Sequence, residues 1–105
     1  SAADLARMKP GALFVNTSRA ELVEPGALET ALRGGRPGYA AIDVFETEPL
    51  PADSPLLRME NVLATPHLGY VEKNSYELYF RSAFQNLIDF ANGTPKNVLN
   101  PDALK

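Results

Sequence analysis

Cysteine is missing from all 105 residues, which rules out a disulfide framework and a thiolate metal site. Histidine occurs once, at His67. With no ligand-spaced cluster of other donors around it, metal binding is not expected. There is no basic cluster or stripe: 10 Lys and Arg stand against 13 Asp and Glu, for a net charge of −3. That balance argues against a nucleic-acid partner or an anionic membrane surface. No apolar run approaches the ~18 residues of a membrane span, and no signal peptide pattern is present. The default expectation is a soluble, cytoplasmic chain. It opens on Ser1 rather than methionine, as an excised or trimmed product would. Neither a Gly-x-Gly-x-x-Gly loop nor a P-loop is found. Ser18 lacks the strained Gly-x-Ser-x-Gly turn that would present a serine nucleophile.

What is present is an ordinary globular composition, 45% hydrophobic and 22% charged. It is organised around Asn61 to Tyr70. Val62 to Thr65 is a short apolar, β-branched run that reads as a strand buried on both faces. Pro66 has no backbone donor and ends the ladder. His67 follows directly, and Leu68-Gly69 opens a turn. An imidazole at the carboxyl end of a buried strand lies where open α/β sheets place their ligands. It is also the side chain that exchanges protons near neutral pH.

In chain order, Ser1 can cap a short helix running to Met8, with Asp4 in its first turn. Ala12 to Val15 reads as a strand running into the polar Asn16-Thr17-Ser18-Arg19, and Leu22-Val23 as a brief resumption. Pro25 is expected at the first position of a second helix, with Ala27, Leu28, Ala31 and Leu32 as its apolar stripe. Gly34-Gly35 should end that helix in a left-handed cap. Tyr39 to Ile42 is the next strand and ends in Asp43. Pro49, Pro51 and Pro55 impose an extended loop, with one helical turn at Pro55 to Leu57. Glu72 to Ala91 is helical with a wide apolar face, suited to core or partner packing, and Gly93 stops it. Asn97 to Lys105 reads as an extended tail.

Strands alternating with helices predict an α/β fold with a parallel sheet. Three strands buried on both faces are few for a free-standing domain, so the chain reads as half a sheet. Each strand releases polar residues at its carboxyl end, and in a parallel sheet those ends share one rim. Arg19 offers a planar fork for a carboxylate or phosphate. His67 can take or give a proton, and an acid on its far ring nitrogen would orient it. Glu48, held by the proline after it, is the better candidate for that acid. Asp43 suits a neutral amide donor on a ligand.

Met8-Lys9-Pro10-Gly11-Ala12 with Val15-Asn16-Thr17-Ser18-Arg19, Ala41 to Pro49, and Asn61 to Gly69 together resemble the signature of the D-isomer-specific 2-hydroxyacid dehydrogenases. The resemblance covers about residues 3–99. It implies the carboxyl-terminal half of a Rossmann-type doubly wound parallel sheet, about three strands, plus a long carboxyl-terminal helix. Residues 1–92 would then belong to the NAD-binding domain, with the helix at about 71–92. Residues 93–105 would form a tail leading toward a substrate domain absent from this chain.

The resemblance further implies that Arg19 binds the carboxylate of a small 2-hydroxy or 2-oxo acid. His67 would be the acid/base at the reacting oxygen, and Glu48 would pair with it. Asp43 would meet the nicotinamide carboxamide of NAD, or equally of NADP. Thr17, Ser18, Arg19 and the turn His67, Leu68, Gly69 and Tyr70 would line the cofactor. The expected reaction is reversible hydride transfer. The chain alone is expected to be inactive, because the glycine-rich phosphate loop lies outside it. A homodimer is expected, covering the open apolar edge. The competing reading is a non-catalytic dinucleotide-sensing or assembly module of the same fold. Tyr70-Val71-Glu72 replaces the small residue and Ser/Ala-Thr usual after the His-Leu-Gly turn, which puts the identity of the substrate in doubt.

Overall fold

The computed structural model describes residues 1–104. The chain divides into two compact units, Ser1–Gly69 and Tyr70–Lys105. In the first unit, helix α1 (Ala2–Ala6) starts with a capping box. The Ser1 side chain accepts from the Asp4 amide, and the Asp4 carboxylate reaches back to the Ser1 hydroxyl at 2.7 Å. α1 stops at Ala6, two residues short of the Met8 that the sequence suggested, and Lys9-Pro10-Gly11 turns the chain into strand β1 (Leu13–Asn16).

β1, β2 (Tyr39–Ile42) and β3 (Val62–Ala64) form one parallel sheet in the order β1-β2-β3. The register sets Asn16 beside Ile42 and Ile42 beside Ala64, so all three strands end at one rim. Helix α2 (Ala27–Arg33) brings Leu28 and Leu32 to the same cluster as Phe14, Ala40, Ile42, Val62 and Ala64. This is the core. Burying both faces was expected, but only one is covered. Leu13, Val15, Tyr39 and Leu63, pointing to the other side by the two-residue period of a strand, are all more than half exposed.

Three further details differ from the sequence reading. Leu22 lies in a single 3₁₀ turn (Ala20–Leu22), and the Val23 amide donates to Ala20 at 3.0 Å, so no strand resumes there. α2 begins after Gly26 rather than at Pro25. Gly26 takes a left-handed φ of 70°, and its amide donates to Glu46 Oε1 at 2.8 Å. That partner is distant in sequence and invisible to a local pattern. Past the long helix, Pro101–Leu104 forms a 3₁₀ turn where an extended tail was expected, and Lys105 lies outside the described residues. The left-handed Gly35 (φ 75°) and the turn at Pro55–Arg58 fall where the sequence put them.

Gly38 fixes the entry to β2. A Cβ built there would lie 1.8 Å from the Pro10 carbonyl oxygen, which is backbone and cannot swing aside. The Gly38 carbonyl also accepts from Asn61 Nδ2 at 2.8 Å, tying β2 to the residue before β3. Gly38→Ala should therefore destabilise the first unit by at least ~3 kcal/mol, the upper end of overpacking costs. Urea unfolding followed by circular dichroism measures it, and a shift below ~1 kcal/mol would contradict the close approach.

The second unit is built on α3 (Lys73–Ala91). The Glu72 side chain caps it by accepting from the Asn74 and Ser75 amides at 2.9 and 2.8 Å, and Gly93 (φ 72°) ends it. Tyr76, Phe80 and Phe84 follow one another a turn apart, the first pair of rings tilted at a centroid distance of 5.8 Å and the second stacked at 6.3 Å. The expected apolar face exists and is exposed: Leu78, Phe80, Phe84, Leu87 and Ile88 are each more than half accessible. Among the described residues, no helix is long and apolar enough to cross a membrane.

Candidate active site

The loop after β1 is shaped by Asn16, whose side chain is buried at the end of the strand. Its Oδ1 accepts from the Ser18 amide at 3.1 Å and its Nδ2 donates to the Arg19 carbonyl at 2.9 Å. An Asx turn of this kind replaces the ladder bonds lost at the strand end. Thr17, Ser18 and Arg19 are left exposed on the rim. Arg19 has an extended backbone, and its Nη1 donates to the Ser18 carbonyl at 2.7 Å.

After β3, the Thr65 amide makes one last bond to the Ile42 carbonyl at 3.0 Å, and Pro66 then ends the pairing. His67 takes a left-handed φ of 56°, uncommon for a residue other than glycine and of the sort stored at functional sites. Its amide folds back on the Thr65 carbonyl at 2.9 Å. Its Nδ1 meets Glu48 Oε2 at 2.7 Å, and the other Glu48 oxygen accepts from the Phe45 amide at 2.9 Å. The loop from Asp43 to Pro49 thus delivers Glu48 to the ring with both oxygens engaged. The bond from His67 is the main cause holding the Glu48 carboxyl below its usual value. The Phe45 amide and the charges of His67 and Arg19 add to it. A carboxylate facing Nδ1 fixes the proton on that nitrogen.

Asp43 lies between the two loops and is 3% exposed. Its Oδ1 accepts from the Thr65 hydroxyl at 2.5 Å and the Leu68 amide at 2.7 Å, and its Oδ2 from the Gly69 amide at 2.7 Å. The Thr65 hydroxyl leads the causes that keep its pKa low. A carboxylate has about four lone-pair sites, so one remains. Its backbone amide donates to the Asn16 carbonyl at 2.9 Å, locking the β2 end to the β1 end. A Cβ on Gly69 would sit 3.1 Å from Asp43 Oδ2 and 3.7 Å from the Thr17 carbonyl, so the His67 turn and the β1 loop approach each other across Asp43.

The structure therefore brings Arg19, Asp43, Glu48, His67, Leu68 and Gly69 to one rim, with Thr17 and Ser18 on the β1 side. Tyr70 opens the second unit, where its ring stacks with Tyr76 at a centroid distance of 6.1 Å. A cleft of about 580 Å³ runs beside the pair, lined by Phe45, Leu50, Leu57 and Pro66 together with Glu48 and His67. Asn16 and Thr65 were not foreseen as site residues. An Asn heading a polar run at a strand end was the available signal for the first. Among the described residues no group of three or more His, Asp or Glu is placed to hold a metal ion.

The low pKa values of Glu48 and Asp43 have a consequence for stability. In each, the folded state binds the proton less readily than the unfolded chain, so their contribution is complete above the ordinary carboxylate value of about 4. It is lost as pH falls through the lower folded value. The unfolding midpoint should drop with acidification over that window, and Glu48→Gln should flatten part of the slope. Thermal melts at stepped pH measure it, and an unchanged slope in the variant would break the His67–Glu48 link.

Residues 1–69 match the family model described as D-isomer specific 2-hydroxyacid dehydrogenase, NAD binding domain. The chain is 45% identical over 103 residues to the glyoxylate/hydroxypyruvate reductase B of Salmonella newport, covering 97% of this chain and 32% of that protein. Its structure is similar to that of an oxidoreductase from Ralstonia solanacearum, with TM-score 0.93 and 63% identity, covering 100% of this chain and 31% of the other. It is also similar to a D-isomer specific 2-hydroxyacid dehydrogenase from Xanthobacter autotrophicus Py2, solved in complex with NADPH and MES. There the TM-score is 0.67 at 41% identity, over 95% of this chain and 40% of that one. The chain spans about a third of the length of the first two relatives.

Proposed function

The chain belongs to the D-isomer specific 2-hydroxyacid dehydrogenase family through its NAD-binding domain, and from that premise we propose that it supplies the reacting end of a hydride-transfer site for a small 2-hydroxy or 2-oxo acid. The carrying observation is the 2.7 Å contact between His67 Nδ1 and Glu48 at the carboxyl end of β3. With Nδ1 turned to the carboxylate, proton exchange with the substrate falls to Nε2. That nitrogen protonates the 2-oxo oxygen in reduction and takes the proton of the 2-hydroxyl in oxidation. Glu48 steadies the imidazolium that forms in the second direction, as the acid of a triad does. Arg19 holds the substrate carboxylate through its fork once its bond to the Ser18 carbonyl is given up.

NAD or NADP, when bound, supplies or accepts the hydride. The rim fits its nicotinamide half: Asp43 keeps one acceptor position for a carboxamide N–H. Thr17, Ser18, Arg19 and the turn from His67 to Gly69 would line the cofactor beside it, and Tyr70 is the next residue along the chain. Among the described residues no glycine-rich loop leads into a helix amino terminus of the kind that cradles a pyrophosphate. That part, and the substrate domain, would come from the remaining two-thirds of a relative's length.

The test is a chimera in which this chain replaces the matching third of the Salmonella newport reductase. Offered glyoxylate or hydroxypyruvate with NADH or NADPH, the chimera should turn over, and the 105-residue chain alone should not. A folded chimera with no turnover on any of these pairs would overturn the reading and leave the sensing module in its place. The bare sheet face of Leu13, Val15, Tyr39 and Leu63 supports self-association of the isolated chain, most simply a homodimer. Light scattering should give a mass above the 11.4 kDa monomer, and a clean monomer would contradict it.

A further inference from the structure

The geometry points to Asp43 as a positioning residue that acts through His67: its carboxylate holds the left-handed turn at His67 by taking the Thr65 hydroxyl and the Leu68 and Gly69 amides, and so aims the imidazole at Glu48. The inference deepens the dehydrogenase reading and rests on it for the use made of His67. Its physical content concerns this chain alone.

His67 would relax away from φ 56° if nothing opposed it, because that region crowds the Cβ of any L-residue. Such strain persists only where surrounding bonds over-determine the conformation. Here the backbone on both sides of His67 is pinned to one side chain. Thr65, two residues before, donates to Asp43 Oδ1; Leu68 and Gly69, directly after, donate to Oδ1 and Oδ2. Asp43 cannot follow the turn if it moves. It is 3% exposed and its own amide is bonded to the Asn16 carbonyl on the next strand. Bonds to an ionised acceptor are about twice as strong as neutral ones. Among the described residues, Glu48 meets the ring at Nδ1, Asp43 is close enough for the charge of His67 to be felt, and Arg19 lies near Glu48.

Nuclear magnetic resonance of the 105-residue chain tests this without any turnover. In the parent, Glu48→Gln should displace the His67 imidazole resonances. In Asp43→Asn, which is isosteric but sets an amide donor against a backbone donor, most of that displacement should disappear. Exchange of the Leu68 and Gly69 amide protons should also quicken about tenfold or more, as the loss of a charge-assisted bond predicts. An Asp43 that merely supported the fold would lower stability and leave the displacement intact, and that result would overturn the inference. Should Asp43→Asn fail to fold, Thr65→Val removes a single donor to the same oxygen. A partial loss of the displacement is expected there, and none would overturn the inference. Loss of the displacement together with an inert chimera would keep this inference and remove the dehydrogenase reading.

Discussion

In the chimera, His67→Ala should lower kcat by about 10²–10⁴-fold, the range that a positioned general acid or base contributes. NADH affinity should stay nearly unchanged, because on the proposed reading the ring acts on the substrate oxygen while contact with the carboxamide falls to Asp43 and the loop residues. The loss should fall on kcat and kcat/KM together, since proton transfer is made only in the transition state. Glu48 cannot substitute: without the ring its carboxyl returns toward the ordinary carboxylate range, still far below neutral pH, so it is ionised and has no proton to give. A variant that keeps the parental rate would remove the acid/base assignment, whatever the affinity shows.

Arg19→Met should act differently. If the guanidinium holds the substrate carboxylate with two charge-assisted bonds, their loss should reduce kcat/KM by roughly 10²–10³-fold. Most of that should be read as a higher KM for the 2-oxo acid. Arg19→Lys should recover only part, because an ammonium is a point charge without the planar fork. The Asx turn built on Asn16 keeps the backbone of residue 19 in place in both variants, so the fold should be undisturbed. Equal KM values in Arg19→Met and the parent would exclude Arg19 from the carboxylate site and leave it as a surface charge near Glu48.

The rim was legible because it depends on order. Short apolar runs, each ending in a polar residue and separated by helical pattern, admit few arrangements besides a parallel sheet with its strand ends together. Arg19, Glu48 and His67 could then be brought together before any distance was known. What could not be read depends on bonds that cross the sequence. Asp43 reads from the sequence as a ligand contact, but the three donors from residues 65–69 that take most of its lone pairs lie more than 20 residues on and leave no local signal. The left-handed His67 follows from that same distant partner. Pro25 failed as a helix start because Glu46, 20 residues on, captures the Gly26 amide. Expecting both sheet faces covered was the error of reading a continuous apolar run as evidence of its own burial. Leu13, Val15 and Leu63 have the composition of core residues and lie open to solvent.

The open face and the missing phosphate cradle make one claim central: this chain carries the reacting end of a dinucleotide site and not the end that grips the phosphates. Titrating NADH into the 105-residue chain and into the chimera, followed by nicotinamide fluorescence, tests it most directly. The chain alone should show no saturation into the millimolar range, beside saturable binding to the chimera. Micromolar saturation of the chain alone would contradict it and would mean that these residues build a complete cofactor pocket by themselves or by pairing with a second copy.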